Sequence, residues 1–358
     1  MTEQITSSPA GQNRQTNCTA PVKIFNMTEY LNKKFAQDIE DFKNSGRLKS
    51  GFANLDSITN LYPGLYVIGA IPSLGKTTFI HQMGDQMAEA GSHVLFFSLE
   101  QSIMELASKS IARTISRQNA ASGLSSLQVR RSDLSDPNIA SAMEKYGTYS
   151  HRMTIAECSF RATINDIANI VREYIKKNQV NPVVIIDYLQ VIQPGPELRM
   201  NTKELVDYHV RRLKELQHDH NLTMIVISSL NRQNYMAAID FESFKESGGI
   251  EYTADVVWGL QLQCIHDSIF SKAGSINQKR ELLKKAKRNN PRKIELVCLK
   301  NRFGISSYSS RFDYYPNFDL FKPDMAGLDI QNVTDSIADT DGFSSLPEAL
   351  NQELPWDD

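Results

Sequence analysis

Apolar residues along the chain fall into short continuous runs, separated by longer stretches with a three- or four-residue period. The runs at 65–68, 94–97, 183–186, 224–227 and 294–297 are rich in β-branched and aromatic side chains. Runs this short and this continuous predict strands buried on both faces. The periodic stretches between them, such as 163–177 and 202–219, predict amphipathic helices. The expected fold is α/β over residues 51–325: a mostly parallel sheet with helices on both faces.

The flanks read differently. Residues 1–22 are polar and turn-rich, the composition of a disordered arm. Within 23–50, Met27, Leu31, Phe35, Ile39 and Phe42 recur at helical spacing and predict one linker helix, capped by Asn26 or Thr28 and ended by Gly46. Its stripe packs either on its own domain or on a neighbouring copy. Residues 326–358 read as an acidic flexible tail. Lys and Arg are absent from 329 onward, and the last residues are Leu354, Pro355, Trp356, Asp357 and Asp358. Such a tail solvates the chain or docks a partner protein.

Candidate chemistry appears where strands end. The segment 70–78 follows the run at 65–68 and precedes a helical stretch. A loop in that position aims backbone N–H groups at a phosphate, at the positive end of a helix dipole. Ser73, Leu74, Gly75, Lys76, Thr77 and Thr78 are the expected nucleotide contacts, with Lys76 as the cation for the β and γ phosphates. The Thr77 hydroxyl suits Mg²⁺. The strict consensus has Gly at position 70, where this chain has Ala70. Asp187 closes the run at 183–186, and a carboxylate there is placed to hold the same magnesium through water. Glu100 follows the run at 94–97, where a carboxylate can orient the attacking water.

Six segments occur in one order: IPSLGKTTF, FFSLEQS, VIIDYLQ, SSLNR, KESGGIEYTADVV and KNRFG. This order resembles the C-terminal ATPase domain of DnaB-type replicative helicases, over roughly residues 47–315. The resemblance implies a RecA-like core, ATP and Mg²⁺ as cofactors, and a ring-shaped homo-oligomer, a hexamer in the family. It also implies single-stranded DNA as the track, with 5′ to 3′ travel and strand separation. Glu100, Lys76 and Asp187 would then be catalytic. Lys300 and Arg302 would reach the γ-phosphate held by an adjacent subunit. Lys245, Glu246 and Gly248 would face the DNA backbone.

The chain departs from the family in two ways. Ser229 stands where the family has a γ-phosphate-sensing Gln, and Arg232 is the candidate to take part of that role. The separate N-terminal helical domain of full-length replicative helicases is not evident. A phage or mobile-element setting with a separate primase, docked through the arm or the tail, fits that reading. A non-unwinding RecA-like ATPase, recombinase-like or an assembly factor, remains a rival, as does a binding module that has lost hydrolysis.

The stretch 279–293 carries eight cations against one acid. Lys284, Lys285, Lys287 and Arg288 within it are candidates for DNA contact, since such cations neutralise phosphates without reading sequence; a solvated helix face is the alternative. A net charge of −2 over 358 residues excludes a purely electrostatic nucleic-acid binder. The four cysteines are scattered, which argues against structural zinc and fits a reducing cytoplasm. No apolar run suits a membrane span and no secretory leader is visible, so the expected location is cytoplasmic.

Overall fold

The computed structural model describes residues 26–45, 48–195, 199–231, 236–244 and 248–324. Expectations for Arg232, Lys245, Glu246, the arm at 1–22 and the tail at 326–358 lie outside those residues. The chain divides into two compact units between Asn44 and Ser45.

In the first unit the expected single helix is two, Met27–Lys33 and Phe35–Ser45. Lys34 leaves helical geometry between them, with φ −131°. Asn26 caps the first helix, its side-chain oxygen accepting from the Thr28 and Glu29 N–H groups. Met27, Leu31, Phe35, Ile39 and Phe42 are all exposed, so the predicted stripe exists as a surface of this unit.

The second unit is built on nine strands, in chain order β1 Gly64–Ala70, β2 Val94–Ser98, β3 Met153–Glu157, β4 Val183–Asp187, β5 Thr223–Ser229, β6 Val256–Leu262, β7 Arg292–Asn301, β8 Ser309–Tyr315 and β9 Leu320–Pro323. They form one sheet in the order β3-β2-β4-β5-β1-β6-β7-β8-β9. The first six of that order are parallel and the last three antiparallel. Every residue of β1, β2, β4 and β6 is buried, which is why most of these read as continuous apolar runs.

Four strands left no such run. Gly259 and Gln261 interrupt β6, β8 alternates between exposed and buried side chains, and β3 and β9 are short pieces at the two edges of the sheet. The antiparallel end is locked to the core by aromatic packing. Phe79, on the helix Lys76–Glu89, stacks on Phe52 at 4.8 Å and meets Phe312 and Phe321 edge-on at 5.1 and 5.2 Å. The helix that follows the loop 71–75 therefore rests on β8 and β9. Among the described residues no helix is long and apolar enough to cross a membrane.

Candidate nucleotide site

The loop 71–75 joins the carboxyl end of β1 to the helix Lys76–Glu89, as the sequence predicts. Gly75 takes φ +83°, and a Cβ there would lie 2.8 Å from the Tyr314 ring, so both conformation and space require glycine. Leu74 is buried and anchors the loop, while Ser73 sits exposed at φ +69°. The first turn of the helix leaves N–H groups without intrahelical acceptors, a ready anion site.

The Thr77 hydroxyl donates to Asp187 Oδ2 at 2.7 Å, linking residues 110 apart in sequence. Asp187 is fully buried and its Oδ1 has no partner among the described residues. Burial pushes the Asp187 carboxyl above the usual carboxylate range, against the Thr77 hydrogen bond and the Lys76 charge. An orphaned buried carboxylate oxygen beside a threonine hydroxyl is what a hydrated divalent cation would satisfy. Among the described residues no cluster of three His, Cys, Asp or Glu offers a metal cage. One carboxylate, one hydroxyl and substrate phosphates are the usual surroundings of Mg²⁺.

Lys76 places its ammonium 4.7 Å from the centre of the Tyr188 ring, one residue beyond Asp187. Glu100 lies two residues past β2, exposed, and its strand is in register with β4 so that Ser98 pairs with Asp187. The Glu100 charge contributes to raising both Asp187 and Tyr188, which puts it in the same electrostatic field. Lys76, Thr77, Glu100 and Asp187 are thus brought together.

Thr78 is turned elsewhere. Its hydroxyl donates to Asp319 Oδ1 at 3.1 Å and accepts from Lys109 Nζ at 3.3 Å, so its backbone N–H is what it offers a phosphate. Ser229 ends β5, and its N–H donates to Gln190 Oε1 at 3.0 Å, while Gln190 Nε2 reaches Ser228 Oγ at 2.8 Å. Gln190 escaped the sequence reading, although it closes the VIIDYLQ segment.

Lys300 and Arg302 are not part of this cluster. In register, Tyr66 pairs with Val256 and Val256 with Asn301, which sets Arg302 toward the amino end of β1, while the Lys300 backbone lies level with Val67 across Val257. The loop 71–75 leaves the carboxyl end of β1 at Ala70, five residues beyond Leu65, whose carbonyl accepts from the Asp255 N–H while Asp255 O accepts from the Arg302 N–H, about 17 Å at the usual rise. Arg302 donates to Asp255 Oδ1 at 3.3 Å and to Tyr252 O at 3.1 Å, and Lys300 to Glu251 O at 2.5 Å. Burial, followed by the Arg302 charge, lowers the pKa of the Lys300 ammonium.

Gly248 opens the helix Gly248–Thr253, and the next N–H, that of Gly249, donates to Asp207 Oδ1 at 2.9 Å. A Cβ on Gly249 would lie 2.2 Å from that oxygen, so the segment is pinned to the helix Thr202–His220. In the basic stretch, the helix Ile276–Arg288 exposes Lys284, Lys285 and Arg288. Lys287 turns instead to Pro72 O at 3.2 Å, and Arg292, which opens β7, donates to Ser73 O at 2.7 Å.

A family model described as the DnaB-like helicase C terminal domain matches residues 47–322. The chain is 25% identical over 273 residues to the replicative DNA helicase DnaB of Geobacillus stearothermophilus, covering 74% of this chain and 58% of that protein. It is 26% identical over 320 residues to the DnaB of Pasteurella multocida, covering 87% of this chain and 63% of that one. The chain therefore spans less than two thirds of the length of these relatives. Its fold is similar to that of a solved ATPase domain, at TM-score 0.66 and 20% identity over 84% of this chain and 99% of that one. It is similar also to a DnaB-like replicative helicase solved for its interactions with primase, at TM-score 0.64 and 20% identity, over 84% of this chain and 67% of that one. At that identity the structural likeness is one of fold.

Proposed function

The chain belongs to the DnaB-like helicase C-terminal domain family, and from that premise we propose that it is an ATP-driven motor on single-stranded DNA. It works as a ring of copies, a hexamer by family likeness, travels 5′ to 3′ and separates the strands of a duplex during replication. The observation that carries this reading is the placement of Lys300 and Arg302 at the end of the sheet opposite the phosphate loop. Cations so placed serve the nucleotide of a neighbouring copy.

In that reading the loop N–H groups and Lys76 hold the ATP phosphates, and Thr77 and Asp187 hold Mg²⁺. A divalent cation held there would supply charge neutralisation to the phosphates. Glu100 orients the attacking water and takes its proton. Arg302 and Lys300 of the neighbouring copy stabilise the charge that develops on the transferred phosphoryl group, a contribution of about 10³–10⁵ in rate in related hydrolases. Ser229 and Arg232 report the γ-phosphate state. Lys245, Glu246 and Gly248 meet the DNA backbone, and the Gly249 N–H to Asp207 bond holds the start of the helix Gly248–Thr253 on the helix Thr202–His220. Lys284, Lys285 and Arg288 add sequence-independent attraction to phosphates. The motor acts in the cytoplasm, with the arm at 1–22 or the acidic tail as the docking segment for a primase or another replication protein.

The test is ATP-dependent unwinding of a forked duplex with a free 5′ tail, with Lys76→Ala as control. Unwinding by the native chain alone supports the motor. Single-strand-stimulated hydrolysis without unwinding, even with a loading factor supplied, would favour a non-unwinding RecA-like ATPase instead.

A further inference from the structure

We propose that Lys287 and Arg292 are positioning residues for the phosphate loop, gripping its outer carbonyls so that its N–H groups bind the nucleotide's phosphates more strongly. The proposal rests on the nucleotide-site reading above and reassigns part of the basic stretch from DNA to ATP.

Lys287 Nζ lies 3.2 Å from Pro72 O, and Arg292 Nη1 lies 2.7 Å from Ser73 O. These oxygens belong to the two peptide planes whose N–H groups are those of Ser73 and Leu74. A cation on the oxygen edge of a peptide draws electron density from the plane and makes its N–H a stronger donor. In the nucleotide-bound state each plane then has a cation on one edge and a phosphate on the other. The same bonds hold Ser73 in its left-handed conformation, φ +69°, which a non-glycine residue adopts only under constraint.

The charge balance points the same way. Neither Lys287 nor Arg292 has a carboxylate within 4 Å among the described residues, whereas Lys284 on the same helix is paired with Glu281. Two adjacent cations without a counter-charge repel one another until an anion arrives. Burial, with the Arg292 charge behind it, holds the Lys287 ammonium below its ordinary pKa. Arg292 lies over the Tyr314 ring at 5.7 Å, the ring that backs Gly75. Its buried Nε has no partner among the described residues. The grip is non-local, from the end of one helix and the start of β7 to a loop more than 200 residues earlier.

The test uses the full chain and two readouts: equilibrium titration with fluorescent ADP and ATP analogues, and steady-state ATP hydrolysis. Lys287→Ala and Arg292→Ala should each raise the nucleotide Kd and the KM for ATP roughly tenfold. The kcat at saturating ATP should stay within about twofold, the signature of a binding contribution common to ground and transition states. Lys287→Arg should recover most of the affinity, and Lys177→Ala, an exposed cation on the helix Ile164–Asn178, should match the native chain. Unchanged Kd and KM in the double variant, or a loss confined to kcat, would overturn the proposal. Should Arg292→Ala fail to fold, Lys287→Ala against Lys287→Arg carries the test alone. A native chain that binds nucleotide but unwinds nothing would sink the motor reading and leave this grip standing; unchanged affinity in the double variant does the reverse.

Discussion

Arg302 and Lys76 lie toward opposite ends of the same sheet, one beside the start of β1 and the other just past its carboxyl end. A guanidinium cannot cross the strand from Leu65 to Ala70, about 17 Å. Its hydrogen bonds to Asp255 and Tyr252 hold it on its own edge, poised on a surface of the domain. The proposed nucleotide loop and the proposed finger therefore lie on two separate faces of one chain, and hydrolysis on this account is an event between copies.

Replacing Glu100 by Gln should lower kcat by about 10²–10⁴ while leaving nucleotide affinity near native, because the change removes a proton acceptor but no phosphate ligand. Single-turnover hydrolysis and a nucleotide titration on the same preparation check it. A parallel loss of affinity would place Glu100 among the binding groups.

Asp187→Asn should abolish hydrolysis and raise the Tm of the nucleotide-free protein. The folded-state pKa of Asp187 is raised by burial, so the folded chain binds the proton more tightly than the unfolded chain. Its contribution to stability is therefore greatest at low pH and is lost as pH rises from the ordinary carboxylate value through the raised one. Above that range the buried charge is a net cost that the amide does not carry. Melts of both proteins without nucleotide or Mg²⁺ read this directly; equal Tm values would contradict it.

Acid should unfold the domain in a window set by His81. Burial lowers its pKa from 6.5 to about 4, against the pull of Asp85. The unfolded chain takes up that proton first, so stability falls as pH drops from about 6.5 to about 4. The full loss is on the order of 3 kcal/mol. Denaturant midpoints across that range check the sign, and His81→Gln should flatten the profile.

Removing the exposed cations Lys284, Lys285 and Arg288 together should weaken binding to single-stranded DNA. The slope of log K against log salt should fall by about 0.7 for each phosphate no longer neutralised. Lys287 stays in place for this test, since its ammonium faces Pro72 O. An unchanged slope would return the helix to being a solvated face.

The parts legible in sequence were those written locally. The apolar runs marked four of the six parallel strands, and the segment 70–78 and Asp187 marked the strand–loop–helix of the candidate nucleotide site, because these elements follow one another there. The remaining strands were hidden for physical reasons. Those at the antiparallel end bury one face or lie at the edge, as the alternation of β8 shows, so their composition resembles a loop. Interactions made at long range were also invisible. Thr78 read as a nucleotide contact, yet its hydroxyl lies on Asp319, 241 residues away. The basic stretch read as one feature, yet the helix ends at Arg288 and the chain turns into β7, so its cations serve two different surfaces. The helix at 26–45 broke at Lys34, where no glycine or proline announced it.

The most direct measurement is single-strand-stimulated ATP hydrolysis by mixtures of Lys76→Ala and Arg302→Ala chains, each inactive alone. Catalysis between copies predicts that mixing restores activity, because some interfaces then pair an intact phosphate loop with an intact finger. Mixtures that co-assemble but stay as inactive as either variant would contradict it, and with it the reading of the chain as a motor built from shared sites.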